Sequence, residues 1–280
     1  MIKMALPNKG GLFEPTIELL KACGYKAKKS YKSLSCIDVE NGIEFFFLRP
    51  GDIPMYVGKG IIDMGITGLD FNAESGSAAV PVLDLHYGHS RLCAAVPKDL
   101  DITELKDIQN MRIATSFGGI VSSHFKRNDM SIIPLEGAVE ISVALGVADC
   151  VVDIVETGST LKQAGLKILG EPLYHSNAAI IAHPGKEETS EVLKLKKRIE
   201  GHLVAMKYVM VEYDAPKTLL DQVSTLTPGI ESPTISPLQD PQWVSVKAMV
   251  LKADANKIMD ELCDLGCRGT IITRIESARI

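Results

Sequence analysis

The sequence predicts an α/β protein made of more than one compact part. Three observations carry that expectation. Short, apolar, β-branched runs alternate with helix-period stretches up to about residue 206, the pattern of strands buried under helices. Beyond Met206 the pattern changes to strand, helix, two strands, helix, strand. The chain has 280 residues, longer than one hydrophobic core usually organises.

Composition narrows the classes. A hydrophobic fraction of 46% with 23% charged residues is that of a soluble globular chain. A net charge of −5 argues against a nucleic-acid surface, so any polyanion must be met by locally gathered Lys and Arg. The six cysteines, Cys23, Cys36, Cys93, Cys150, Cys263 and Cys267, form no CxxC pair. Reduced thiols in a cytoplasm fit that spacing better than zinc or a disulfide framework. No run is long and apolar enough for a bilayer, and Met1–Pro7 is too short for a signal peptide. The expectation is a cytoplasmic protein with neither membrane nor nucleic acid as partner.

In chain order, Ile2–Leu6 reads as a strand, the Pro7–Gly11 loop carries Lys9, and Leu12–Cys23 is an amphipathic helix. A Lys-bearing glycine loop between strand and helix fits either a phosphate contact or a plain turn with a solvated lysine. Ile43–Leu48 is a second buried strand ending at Arg49, and ligands bind at strand carboxyl ends in open α/β sheets. Tyr56–Gly60 is expected as a short helix and Ile61–Ile66 as a strand. Asp70 then stands near a helix start, as a cap or a ribose ligand. Val80–Leu85 is a strand, and the polar stretch His86–Arg91 marks a crossing into a second part of the molecule, with Arg91 either a cleft cation or a hinge ion pair. Met111–Thr115, Ile132–Leu135 and Val151–Val155 are further strands, with helices over Ile120–Lys126 and Ala138–Leu145. His175–His183 is a returning strand and Lys186–Ala205 a long helix. The tail order β-α-β-β-α-β is that of a ferredoxin-like module.

The stretch richest in chemistry is Asp149–Leu166. A buried strand turns through Glu156, Thr157, Gly158, Ser159 and Thr160 into a helix that Gly165 stops. Free backbone N–H groups and hydroxyls at a helix start favour a phosphate. The same residues also suit an ordinary N-cap. Asp149 and Asp153, four apart on a strand, share one face and suit ribose hydroxyls, a hydrated Mg²⁺ or a purely structural role. Glu136 and Glu140 either cap the helix after Gly137 or face a ligand. The histidines lack metal-ligand spacing apart from His86 and His89, and no Ser/His/Asp or Cys/His set stands out.

Several stretches together resemble the long form of ATP phosphoribosyltransferase. They are Leu6-Pro7-Asn8-Lys9-Gly10, Arg49-Pro50-Gly51-Asp52-Ile53-Pro54, Asp63 to Asp70, Leu135-Glu136-Gly137-Ala138-Val139-Glu140, Asp153 to Leu166, and Ser232 to Leu238. The resemblance implies a two-lobed catalytic part of the type II periplasmic-binding fold, with residues 1–88 and 179–205 as lobe I and 89–178 as lobe II. It also implies a C-terminal ferredoxin-like regulatory domain over 206–280, histidine as allosteric inhibitor, and homodimer and homohexamer assembly. The implied reaction transfers phosphoribose from phosphoribosyl diphosphate to N1 of ATP, with Mg²⁺, as the first step of histidine biosynthesis. On this reading Thr157, Gly158, Ser159 and Thr160 hold the 5′-phosphate, and Asp153, with Glu156, the ribose hydroxyls. Lys9 and Arg49 neutralise diphosphate or the ATP phosphates, and Asp70 and Glu140 contact adenine or ribose. In the tail, Asp214, Thr234, Gly269 and Thr270 are expected to line the histidine site. Two departures stand out: Gly11 replaces the family's arginine in the first loop, and Ser116-Phe117-Gly118-Gly119 replaces a Tyr-Pro-Asn sequence. The alternative reading is a type II solute-binding protein for a small anion.

Overall fold

The computed structural model describes residues 1–29, 33–155 and 158–279. It begins with β1 (Ile2–Pro7), α1 (Phe13–Ala22), β2 (Ser35–Asp38), β3 (Ile43–Leu48), α2 (Ile53–Gly58), β4 (Met64–Gly68), α3 (Leu69–Ser75) and β5 (Val80–Asp84). It continues with β6 (Ser90–Pro97), a 3-10 turn (Leu105–Asn110), β7 (Ile113–Thr115), α4 (Gly118–Phe125), β8 (Ile132–Pro134), α5 (Ile141–Ala144), β9 (Cys150–Val155), α6 (Ser159–Gln163) and β10 (Leu166–Ser176). The chain then returns in β11 (Ala178–Ala182) and ends with α7 (Ser190–Lys207), β12 (Tyr208–Pro216), a 3-10 turn (Lys217–Leu219), α8 (Leu220–Leu226), β13 (Thr234–Pro237), β14 (Trp243–Leu251), α9 (Ala255–Asp264) and β15 (Arg268–Arg274).

Three sheets result. The first has the order β2-β3-β1-β4-β11-β5 and the second β10-β6-β9-β7-β8. The first sheet pairs β1 in parallel with β3 and β4, while β11 returns antiparallel against β4 and β5. β11 is apolar along its whole length and fully buried, as a strand covered on both faces must be. The sheets are joined where β5 passes to β6 and β10 to β11. These passages lie side by side: Ala178 N donates to Tyr87 O at 2.9 Å, and Asn177 Nδ2 donates to Asp84 Oδ1 at 2.7 Å. This is the two-lobed, type II periplasmic-binding arrangement. The third sheet, β13-β14-β12-β15, is antiparallel throughout and has the ferredoxin-like order. Its β12 alternates buried Val209, Val211, Tyr213 and Ala215 with more open positions, so one face packs on α8 and α9. Two compact units emerge, Met1–Glu18 with Tyr25–Val192, and Leu19–Gly24 with Leu193–Ile280.

Four expectations need correction. The stretch from Leu166 to Ser176 is a long strand, which pairs with β6 at Leu166–Leu169 and again at Tyr174–Ser176; the expected return strand at His175–His183 is in fact the end of β10 plus β11. Gly170, at φ +65°, and the Glu-Pro pair after it interrupt the alternation, and the register shifts between Leu169 and Tyr174. The helix expected over Ala138–Leu145 is one turn, Ile141–Ala144, because Gly137 and Ala138 both take positive φ. The short helix runs over Ile53–Gly58, starting three residues before Tyr56, and β4 starts at Met64 rather than Ile61. β2 has no apolar alternation long enough to announce it.

Candidate active site

β9 ends at Val155, at the turn the sequence marks as an anion site. After Val155 the next described residue is Gly158, buried and left-handed at φ +76°. Gly158 occupies the N-cap position of α6, so neither Ser159 nor Thr160 is spent as the cap. Both hydroxyl residues are exposed at the first turn of α6. Glu156 and Thr157, also expected in this turn, lie outside the described residues.

Asp153 is half-buried on β9, and its carboxylate accepts from Ile154 N at 2.8 Å. Burial pushes its pKa up, and the negative charge of Glu140 pushes in the same direction. Glu140 stands at the N-cap position of α5 but makes no side-chain cap bond there. The structure thus brings together two residues that lie on separate elements, at the end of β9 and at the start of α5. Asp149 is different. At the other end of β9 it accepts from Arg112 Nε at 3.1 Å and from Arg112 NH2 at 2.7 Å, which holds its pKa down. It is a structural acid, not a partner of Asp153.

Across from β9, the first sheet presents its own carboxyl edge. The parallel register sets Pro7 opposite Leu48, and Asn8 N donates to Leu48 O at 2.8 Å. Lys9 and Arg49 therefore leave the same edge, both exposed. Among the described residues neither forms an ion pair. Arg91, on β6, is opposite Val155 at the end of β9.

Asp70 lines a cleft of about 150 Å³ that also takes in Gly11, Gly68, Ser90, Ile154 and Ser176. It is 4% exposed, and burial raises its pKa. Its backbone N–H donates to Ser176 Oγ at 2.9 Å, while its carboxylate accepts from Phe71 N at 2.8 Å. A Cβ on Gly68 would collide with the Asp70 carboxylate, so the glycine leaves that carboxylate its present place. The cleft's Ser90 and Ser176 were invisible in the sequence: single serines on strands carry no pattern. Gly11 leaves the wall beside it uncharged.

In the tail, Asp214 and Gly269 meet, with Asp214 Oδ2 3.6 Å from where a Gly269 Cβ would stand. Thr270 Oγ1 is buried without a partner. Thr234 lies on β13 at the far edge of that sheet and does not join them. Among the described residues no group of three or more His, Cys, Asp or Glu could hold a metal ion.

A two-lobed α/β fold with buried acids lining its cleft and exposed cations at the carboxyl edge of one sheet belongs to the class that takes small polar ligands between its lobes. Comparison with known proteins makes that class specific. Residues 49–201 match the family model HisG, ATP phosphoribosyltransferase, and residues 205–277 match HisG, C-terminal domain. The chain is 44% identical over 283 residues to the ATP phosphoribosyltransferase of Bifidobacterium longum, covering all of both chains. Among solved structures it is similar to the ATP phosphoribosyl transferase (HisG:HisZ) complex from Thermotoga maritima, with TM-score 0.62 and 30% identity, covering 71% of this chain and 96% of that one. A substrate-binding protein of an amino acid ABC transporter superposes with TM-score 0.50 at 16% identity over 73% of this chain and 94% of that one, a likeness of fold alone. The chain belongs to the ATP phosphoribosyltransferase family.

Proposed function

We propose that this chain catalyses attack of N1 of ATP on C1 of phosphoribosyl diphosphate, forming phosphoribosyl-ATP and releasing diphosphate. The observation that carries the site assignment is the left-handed Gly158 opening α6 directly beyond the half-buried Asp153. Gly158, Ser159 and Thr160 take the 5′-phosphate through backbone N–H groups and hydroxyls. Asp153 and Glu140 accept hydrogen bonds from the ribose hydroxyls. Asp70, in the cleft, contacts the adenine or ribose of ATP.

The ring nitrogen already has its lone pair, so no protein nucleophile is required. What the chain supplies is position and charge. Fixing two polyanions with their reacting atoms in line is worth on the order of 7 kcal/mol or more in barrier terms. Lys9 and Arg49, at the carboxyl edge of the first sheet, supply positive charge for the departing diphosphate. A pair of carboxylates whose charges already oppose one another suits a hydrated Mg²⁺ arriving with the diphosphate, since that ion takes one or two protein carboxylates plus phosphate oxygens. Asp153 and Glu140 are the residues that would hold it, and it would neutralise phosphate charge.

Residues 206–280 are assigned to regulation and assembly, with histidine as the inhibitor, Asp214, Gly269 and Thr270 as its contacts, and a homodimer or homohexamer as the working form. Residues 1–88 with 179–205, and 89–178, are assigned as the catalytic lobes. The site is tested with Thr160→Val and Asp153→Asn in steady-state kinetics. Each is expected to raise the phosphoribosyl diphosphate KM or lower kcat by roughly tenfold or more. Wild-type kinetics in both would overturn the assignment of the turn.

A further inference from the structure

The helix α3 follows β4 of the first lobe, yet three of its residues are held by the second. At its start, Asp70 N donates to Ser176 Oγ, on β10, at 2.9 Å. One residue on, the Phe71 ring meets the Phe117 ring with centroids 5.8 Å apart, and Phe71 packs on the second lobe's core. One turn further, the Glu74 carboxylate accepts two backbone N–H groups at the start of α4, Gly119 N at 2.9 Å on Oε1 and Ile120 N at 2.9 Å on Oε2. A Cβ on Gly119 would stand 3.2 Å from both the Glu74 carbonyl oxygen and Oε2, so glycine is what lets α3 and α4 approach this closely.

The two Glu74 bonds are charge-assisted and aim the carboxylate at the positive end of a helix, so they are the strongest polar link in this cluster. They sit one helical turn from Asp70, the acid of the cleft. We propose that Glu74 is a positioning residue: by clamping α3 to the start of α4 it sets the spacing of the two lobes, and through that spacing brings Asp70 and the rim cations Lys9 and Arg49 to their working distance from the anion turn of β9 and α6. Glu74 touches neither substrate. Substrates that bridge the lobes can make up part of its work by pulling the lobes together, so its removal acts on binding more than on turnover at saturation. The inference rests on the two-substrate cleft described above.

The test is steady-state kinetics on the full chain for wild type, Glu74→Gln and Gly119→Ala, with thermal unfolding of each. Glu74→Gln keeps the side chain's size but loses its charge and turns an NH₂ toward an N–H group. Gly119→Ala leaves the carboxylate intact and wedges the two helices apart. Both are expected to raise the KM for ATP and for phosphoribosyl diphosphate together, by about fivefold or more, with kcat within about threefold of wild type. Hydrogen exchange at Gly119 and Ile120 should quicken in Glu74→Gln and slow again when both substrates are added. Unchanged KM values in both variants would overturn the inference. So would a loss confined to kcat, or a rise for one substrate only, which marks a local contact rather than a spacing. A wild-type protein that releases no diphosphate would instead overturn the reading of the cleft, and the two failures are distinct.

Discussion

At Asp153, desolvation and the negative charge of Glu140 act in the same direction and lift the carboxyl's pKa. The folded state then holds that proton more tightly than the unfolded chain does. Stability is therefore highest with Asp153 protonated and falls as pH rises from the ordinary aspartate value, 3.8, through the raised one. Asp153→Asn removes a charge that is costly at neutral pH. It should unfold at a higher temperature than wild type at pH 7, with the gap closing below about pH 4, while its turnover drops. An unchanged or lower unfolding temperature at pH 7 would mean that the Asp153 charge is already well compensated. At Gly158 the issue is backbone shape. Its φ of +76° costs an L-residue about 1 kcal/mol, though the space beside it would admit a methyl group, with Ile168 and Val155 each 3.7 Å away. Gly158→Ala should raise the phosphoribosyl diphosphate KM several-fold with a modest loss of melting temperature, measurable by kinetics and calorimetry on one sample. The types of residue in this turn were legible in the sequence because hydroxyls and glycine between a strand and a helix have a physical use. The partners were not. Asp70 and Ser176 are 106 residues apart, and only the fold joins them.

Elements were read where their periodicity is unbroken. β1, β3, β9, β12 and β14 each present buried residues in continuous or alternating runs, and the sequence shows both patterns directly. β10 carries no readable strand pattern because its ladder is broken by Gly170 and a Glu-Pro pair, and because an edge strand that pairs only with β6 tolerates charge. α5 was overextended for a related reason. The composition after Gly137 favours helix, but Ala138 sits at φ +49° in the loop that carries Glu140 toward Asp153. Local propensity yields there to the geometry of the acid pair. In the ferredoxin-like unit, the Tyr213 hydroxyl is bonded to Thr227 Oγ1 at 2.7 Å and donates to Val223 O at 3.3 Å, tying β12 to the end of α8 in a buried setting. Tyr213→Phe takes the buried partner from the Thr227 hydroxyl, while Val223 O keeps Thr227 N and Thr227 Oγ1 as donors, each at 3.0 Å, and should cost about 1 kcal/mol of stability, read by denaturant unfolding. No loss would mean the threonine hydroxyl is satisfied without the tyrosine.

For the whole molecule, the first two sheets lie in one compact unit and the third in another, so the proposed catalysis and its proposed control fall on different parts of one chain. The regulatory assignment predicts that histidine slows the full-length enzyme. It also predicts that Asp214→Ala relieves that inhibition while leaving the rate without histidine near wild type. Equal inhibition of both proteins would take Asp214 out of the effector site. The central claim, that two phosphorylated substrates meet at the cleft for a transfer, is tested most directly by diphosphate release. ATP, phosphoribosyl diphosphate and Mg²⁺ are supplied together and each is then left out in turn. Release is expected only when both substrates are present, in step with formation of one phosphoribosylated nucleotide. Release from phosphoribosyl diphosphate alone, or none with both present, would contradict it.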